Sequence, residues 1–224
     1  MKIRLVCVLL MVFLIIPVWA VETDIQLFRG GLLWQGQSQE TDFTGGDANG
    51  ISASQIITYA GTGVTISFSD FLGIAPALDL YTDEMVYLED YGRAFPTQKT
   101  TGSFTGPVAV LLALNLNIPW YMQVDISSIT SFSLAAGPGL LFRIPVIPLD
   151  GTESMSEISN YTLGRGRWIN LQFEPALNFR INDWFGFSVG SKVILPIWHL
   201  WDGSDLPFWD SLSAGTMIRM NILM

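Results

Sequence analysis

Residues 169–181 alternate between apolar and polar side chains almost without a fault. Ile169, Leu171, Phe173, Pro175, Leu177, Phe179 and Ile181 occupy the odd positions, and Asn170, Gln172, Glu174, Ala176, Asn178 and Arg180 the even ones. Successive side chains of a strand point to opposite faces, so this segment predicts a strand with one apolar and one polar face. It is also long. Thirteen residues at ~3.3 Å each reach about 43 Å, against an average soluble strand of about 5–6 residues. At a tilt of about 40° such a strand still crosses the roughly 25 Å apolar band of a membrane barrel. The pattern predicts the wall of a transmembrane β-barrel.

The same reading predicts eight strands: Asp24–Gly36, Ile56–Ser69, Leu72–Tyr87, Val108–Ile118, Ser131–Pro148, Ile169–Ile181, Phe185–Leu200 and Ser211–Leu223. Val108, Val110, Leu112, Leu114 and Leu116 form the outer face of the fourth, and Phe132, Leu134, Ala136, Leu140, Phe142 and Ile144 that of the fifth. Connections after the odd-numbered strands are mostly long and polar. Those near Asp70 and Asn182-Asp183-Trp184 are tight, whereas Pro119–Thr130 is long for a periplasmic turn, which is usually short. The loop Leu149–Arg167 reads as polar and irregular. Prolines recur in similar settings (Ala75-Pro76-Ala77-Leu78, Gly137-Pro138-Gly139-Leu140, Glu174-Pro175-Ala176-Leu177), and each predicts a local bulge or bend because proline leaves a ladder bond unmade.

The N-terminus carries a separate message. Lys2 and Arg4 precede an apolar run from Leu5 to Val18, and Val18-Trp19-Ala20 presents small residues where a signal peptidase reads. Residues 1–20 therefore read as a signal peptide and residues 21–224 as the barrel. The only cysteine, Cys7, leaves with the signal. Removing Lys2 and Arg4 from the eleven basic residues leaves nine against twenty acidic ones, a net charge of −11. That balance argues against nucleic acid as a partner, since its binders display basic patches. No later stretch holds eighteen consecutive apolar residues, which argues against a helical membrane protein. The runner-up fold is a secreted soluble β-barrel that binds a small ligand in an apolar cavity.

The seven tryptophans after the signal (Trp34, Trp120, Trp168, Trp184, Trp198, Trp201 and Trp209) all fall at or near predicted strand ends. Aromatic girdles at the two interfaces would place them so, because an indole is apolar with one polar N–H. Signal peptide, eight alternating strands, polar loops and terminal tryptophans together resemble the small outer-membrane barrels of the OmpX, OmpW and OmpA-membrane-domain type. The resemblance covers the whole mature chain and rests on architecture. It implies the cell outer membrane as location, surrounding lipid and the barrel-assembly machinery as partners, and a monomer. Those families usually end in an aromatic residue. This chain ends Ile222-Leu223-Met224, keeping the apolar alternation but not the ring, which suggests a divergent, spirochaete-like lineage.

An eight-stranded barrel is just wide enough to be filled by side chains or to hold one small ligand. The inward positions are mostly small and polar, with charges at Asp79, Arg143, Glu174, Arg180, Lys192 and Arg219. Buried charges must be paired, so the two carboxylates are expected to bridge the cations. Glu174 and Lys192 lie about equally far from the turn near Asp183, which predicts a cross-strand pair, with Arg143 as a second partner of Glu174.

Catalytic and metal motifs are weak. Gly186-Phe187-Ser188-Val189-Gly190 matches G-x-S-x-G but sits inside a strand, whereas that nucleophile needs a sharp strand-to-helix turn. His199, the only histidine, stands near Asp202 and Ser204 but reads better as part of an aromatic girdle. One histidine and no mature cysteine exclude a zinc cluster, and Asp47-Ala48-Asn49-Gly50 lacks the flanking ligands of a calcium loop. Glu40, Asp42, Asp47, Asp150, Glu153, Glu157, Asp202, Asp205 and Asp210 offer an acidic surface that divalent cations or an extracellular ligand could meet. Arg165 and Arg167 stand where phosphate headgroups would lie, and Asn160-Tyr161-Thr162 is a glycosylation sequon by pattern only. No catalytic, cofactor or metal set emerges. The leading expectation is a non-enzymatic barrel with a packed polar lumen and a structural or surface-interaction role. The alternative is a narrow conduit for small polar, anionic or hydrophobic solutes.

Overall fold

The computed structural model describes residues 22–36, 54–89, 92–96, 108–149, 154–203 and 211–224. The signal segment, the tips of several long loops and Trp209 lie outside these residues. Among the described residues eleven strands occur: β1 (Glu22–Gly36), β2 (Ser54–Ser67), β3 (Leu72–Ile74), β4 (Ala77–Leu88), β5 (Arg93–Pro96), β6 (Val108–Asn117), β7 (Trp120–Asp125), β8 (Thr130–Pro148), β9 (Ile169–Arg180), β10 (Phe185–Leu195) and β11 (Ser213–Ile222). All pairings are antiparallel. The ring closes because β1 pairs with both β2 and β11, and β8 with both β6 and β9.

The ring has eight walls. Two of them are broken by proline. Ala75-Pro76 interrupts the third wall between β3 and β4, and Ile118-Pro119 interrupts the fourth between β6 and β7. The breaks are patched across the sheet: Val64 donates to the Pro76 carbonyl at 2.9 Å, and Ala75 to the Pro119 carbonyl at 3.0 Å. The long link expected at 119–130 is thus a strand continuation, and the true turn is Ile126–Ile129. At Pro138 and Pro175 the register of β8 with β9 is kept, but the β9–β10 ladder skips Glu174 and Pro175 between the pairs Ala176–Gly190 and Phe173–Val193. A register shift does occur near Pro145, where Leu111 pairs with Pro145 and Val110 with Ile147.

All three turns at one end are tight, and each is held by a side-chain acceptor. Ser69 Oγ accepts from the Leu72 N–H at 3.2 Å. Ser127 Oγ accepts from the Ile129 and Thr130 N–H groups. Asn182 Oδ1 accepts from those of Trp184 and Phe185 at 3.0 and 2.8 Å. Short polar side chains of this kind replace the missing ladder bonds at a chain reversal. The opposite end carries the long connections. One contains β5, which pairs with the far end of β4. Another, expected to be irregular, folds into helix α1 (Ser154–Leu163). The seventh wall ends at Leu195 rather than Leu200, because Pro196 stops the ladder and Ile197–Leu200 forms a 3-10 turn.

Outside, the walls present a continuous apolar belt. Leu32, Leu78, Leu80, Leu116, Met122, Phe132, Leu177, Val189, Ile218 and Met220 are all exposed and outward-facing. A surface of that extent is unstable in water and needs an apolar partner phase.

Candidate functional site

The lumen holds the chemistry, and it is stacked in layers. At its centre Arg29 (β1), Asp79 (β4), Glu174 (β9) and Lys192 (β10) form a closed quartet, none of them more than 2 % exposed. Arg29 Nε donates to Asp79 Oδ1 at 2.6 Å, and its Nη2 reaches both Asp79 and Glu174. Lys192 Nζ bonds Asp79, and Glu174 Oε1 at 3.1 Å. Two cations and two carboxylates cancel, so each buried charge meets two of the opposite sign, as desolvation demands. Amides finish the layer. Asn117 donates to Glu174 at 3.0 Å, Asn115 to Asp79 at 3.3 Å, and Gln172 to Asn115 at 2.6 Å.

Glycines make room for these side chains. Gly61 lies between Arg29 and Asp79 in the cross-strand register. A Cβ there would come within 2.5 Å of Asp79 Oδ1 and 2.2 Å of the Leu78 carbonyl. Gly139 gives way to Gln172 in the same manner, where a Cβ would meet Nε2 at 1.8 Å.

Above the quartet, toward the long loops, the lumen turns apolar. Leu33, Ile57, Tyr59, Tyr81, Ala113, Leu141 and Ile194 pack as one buried cluster. Higher still, Arg143 Nε pairs with Asp83 at 3.0 Å, and Ile158 of α1 is wholly buried against Met85, Ala94, Ala109 and Leu111. The helix closes this end of the barrel. Thr162 fixes it, its Oγ1 donating to the Arg143 carbonyl at 3.1 Å.

Below the quartet the lumen opens, at the short-turn end, into a polar vestibule of about 440 Å³. Arg219 borders it and is itself 2 % exposed. Its Nη2 contacts Asn178 Oδ1 at 3.3 Å and Ser133 Oγ at 3.4 Å, and its Nε has no partner. Arg180 stands at the exposed mouth of the same space.

The six charges read from the sequence therefore separate. Asp79, Glu174 and Lys192 meet in the quartet. Arg143 is not a partner of Glu174 but of Asp83, four residues further along β4 than Asp79. Arg180 is too near the rim to be buried, and Arg219 stays apart. The residue that the alternation concealed is Arg29. A register irregularity in β1 around Leu27 and Phe28 reverses the strand's parity, moving the inward set from Asp24 and Gln26 to Arg29, Leu33 and Gln35. The only sequence signal is that two successive large apolar residues, Leu27 and Phe28, both face outward.

The remaining candidates find other settings. Trp34, Trp184 and Trp201 are exposed near strand ends, and Trp168 stacks on Phe142 at 5.5 Å. Trp120 is exposed but lies within the fourth wall, and Trp198 is buried, at 4 %, so neither belongs to a lipid-facing girdle at a strand end. The His199 ring lies 3.8 Å from that of Trp198, tilted by 35°. Asp202 is committed to Arg167 Nε at 3.3 Å, and Arg167 lies over the Tyr161 ring at 4.0 Å. Arg165 donates to the Asp202 carbonyl at 2.8 Å. Ser188 points into the lumen and accepts from Asn221 at 3.1 Å, with no turn to present it as a nucleophile. Asn160 is exposed on α1. Of the acidic loop residues only Glu157 and Asp202 are described; Glu40, Asp42, Asp47, Asp150, Glu153, Asp205 and Asp210 lie outside the described residues, as does Ser204.

No protein-family model and no curated sequence matches the chain. Its architecture does have solved counterparts. The outer-membrane protein OprG from Pseudomonas aeruginosa superposes with a TM-score of 0.50 at 11 % identity, over 91 % of this chain and 96 % of OprG. Ail, the attachment invasion locus protein of Yersinia pestis, was solved with the heparin analogue sucrose octasulfate. It aligns over 92 % of this chain and 99 % of its own, with a TM-score of 0.42 and 10 % identity. With the apolar belt, the closed ring of eight walls and the likeness to OprG, the chain has the fold of the small outer-membrane β-barrels.

Proposed function

We propose that this chain is a non-enzymatic, non-conducting barrel of the cell outer membrane that works through the surface formed by its long loops. The observation that carries the reading is the lumen's double closure: the neutral quartet of Arg29, Asp79, Glu174 and Lys192, roofed by the apolar cluster around Tyr59 and Tyr81. A solute passing through would have to separate two buried ion pairs and enter an apolar layer, and breaking such a pair costs about 3–5 kcal/mol. The roof helix α1 adds a third barrier. Lipid and the assembly machinery are then the obligatory partners of the wall. The acidic loops, rich in aspartate and glutamate by sequence, are the surface for an extracellular ligand or divalent cations.

Single-channel recording on the refolded full chain in a planar bilayer tests this. The expected record is flat. Reproducible unitary openings whose size changes with Lys192→Glu would overturn the sealed-lumen reading in favour of a conduit.

A further inference from the structure

The vestibule at the short-turn end has a charge imbalance that the quartet does not resolve. Among the described residues, Arg29 and Lys192 are neutralised by Asp79 and Glu174, and Arg143 by Asp83. Arg219 has no carboxylate within salt-bridge distance, although its side chain is buried. Its cross-strand neighbour is Arg29, a second cation. A buried guanidinium that neighbours another cation and meets only hydroxyl and amide oxygens is under-compensated. It borders a polar space of about 440 Å³ that opens to solvent, within the roughly 300–1,000 Å³ typical of small-molecule sites.

We propose that this vestibule binds a small carboxylate monoanion, with Arg219 as its anchor and Ser133 and Asn178 positioning the guanidinium. A carboxylate takes charge-assisted N–H bonds from a guanidinium, which is always charged and offers five donors. The rim limits the class of ligand. Glu22, Asp24, Asp70, Asp125 and Asp183 line the mouth with Arg180 as the one rim cation among them. A negative collar of this kind repels multiply charged anions far more than single ones, because the repulsion scales with ligand charge. The site is a dead end, since the quartet closes its floor.

The test uses the full chain in lipid nanodiscs, with side-chain Nε–Hε NMR signals of ¹⁵N-labelled arginine. Sodium acetate is titrated against sodium chloride at constant ionic strength. The expected result is a saturable shift of the Arg219 signal with acetate, while Arg29 and Arg143 move little. Citrate should bind at least about tenfold more weakly, one decade being about 1.4 kcal/mol. Arg219→Gln should abolish the acetate response of the Tyr121 and Ser133 amides, and Arg219→Lys should weaken it while keeping the charge. Folding of each variant is read from heat-modifiable gel mobility. If neither variant folds, the parent titration decides by itself. A linear Arg219 shift, an equal response to chloride, citrate binding as tight as acetate, or an unchanged amide response in Arg219→Gln would each overturn the proposal.

Discussion

At the scale of single residues, burial sets what each charge can do. Glu174 accepts from Arg29, Lys192 and Asn117, all in a layer closed to solvent. Glu174→Gln keeps the shape but leaves two cations facing one carboxylate, and uncompensated buried charge of this kind costs about 3–5 kcal/mol. The expected outcome is a lower temperature of heat-modifiable unfolding in detergent. The double variant Glu174→Gln with Lys192→Gln should regain much of that loss, because it restores one cation to one carboxylate. A double variant no more heat-resistant than Glu174→Gln would mean that the two side chains are not coupled. Three members of the quartet could be read from strand parity alone. Arg29 could not, because in the simple alternation from Asp24 it falls on the lipid face, and only the irregularity at Leu27 and Phe28 turns it inward.

At the scale of elements, the turns decide registration. Asn182 Oδ1 accepts two backbone N–H groups at the reversal between β9 and β10, and that hairpin carries Glu174 and Lys192. Asn182→Ala removes the one oxygen that accepts both bonds in an exposed turn, where each hydrogen bond contributes about 0.5–1.5 kcal/mol net. Asn182→Asp keeps the acceptor oxygen and should retain most of the stability, so comparing urea midpoints of the two variants checks the turn's role. The strands were legible because their period is two over ten or more residues. The continuation of the fourth wall through Trp120–Asp125 was hidden. Pro119 breaks the ladder, and Met122 and Val124 alternate with Tyr121 and Gln123 over too few residues to stand out. Helix α1 was hidden for a related reason. Among the described side chains of the helix only Ile158 and Thr162 are deeply buried, and two positions four apart make a faint amphipathic signal in a polar loop.

At the scale of the whole molecule, the barrel is apolar outside and polar within its lower lumen, the reverse of a soluble β-barrel. Adjacent residues of β9 probe this directly. Leu177 is 42 % exposed on the outer face, while Asn178 borders the vestibule. Leu177→Arg should cost about 2–4 kcal/mol if it lies near the bilayer midplane. Asn178→Ser should cost about 1 kcal/mol, since it trims hydrogen bonds to Arg219 and Ser131 beside a space open to solvent. Equilibrium unfolding of both variants in lipid vesicles measures the difference. A reversed order would turn the protein inside out and restore the soluble ligand-binding barrel as the better account.

Sequence alone determined the wall: the strand number, the outward set on nearly every strand, most of the long and short connections (the one after the fourth strand excepted), and hence the fold class. It could do so because those properties are local and periodic, written in residues i, i+2 and i+4 of one strand. What fills the lumen was decided only in three dimensions. Arg29, Asp79, Glu174 and Lys192 come from four strands, with Arg29 bonded to Glu174 across 145 positions of the chain, and their meeting depends on barrel closure, on one parity reversal and on the glycines that clear the space between them. Pairing Arg143 with Asp83 instead of Glu174, and placing Arg219 beside the vestibule with Asn178 and Ser133 as its partners, follow from the same cause. The height of a side chain along the barrel axis is set by strand stagger, and no single strand's pattern carries that information.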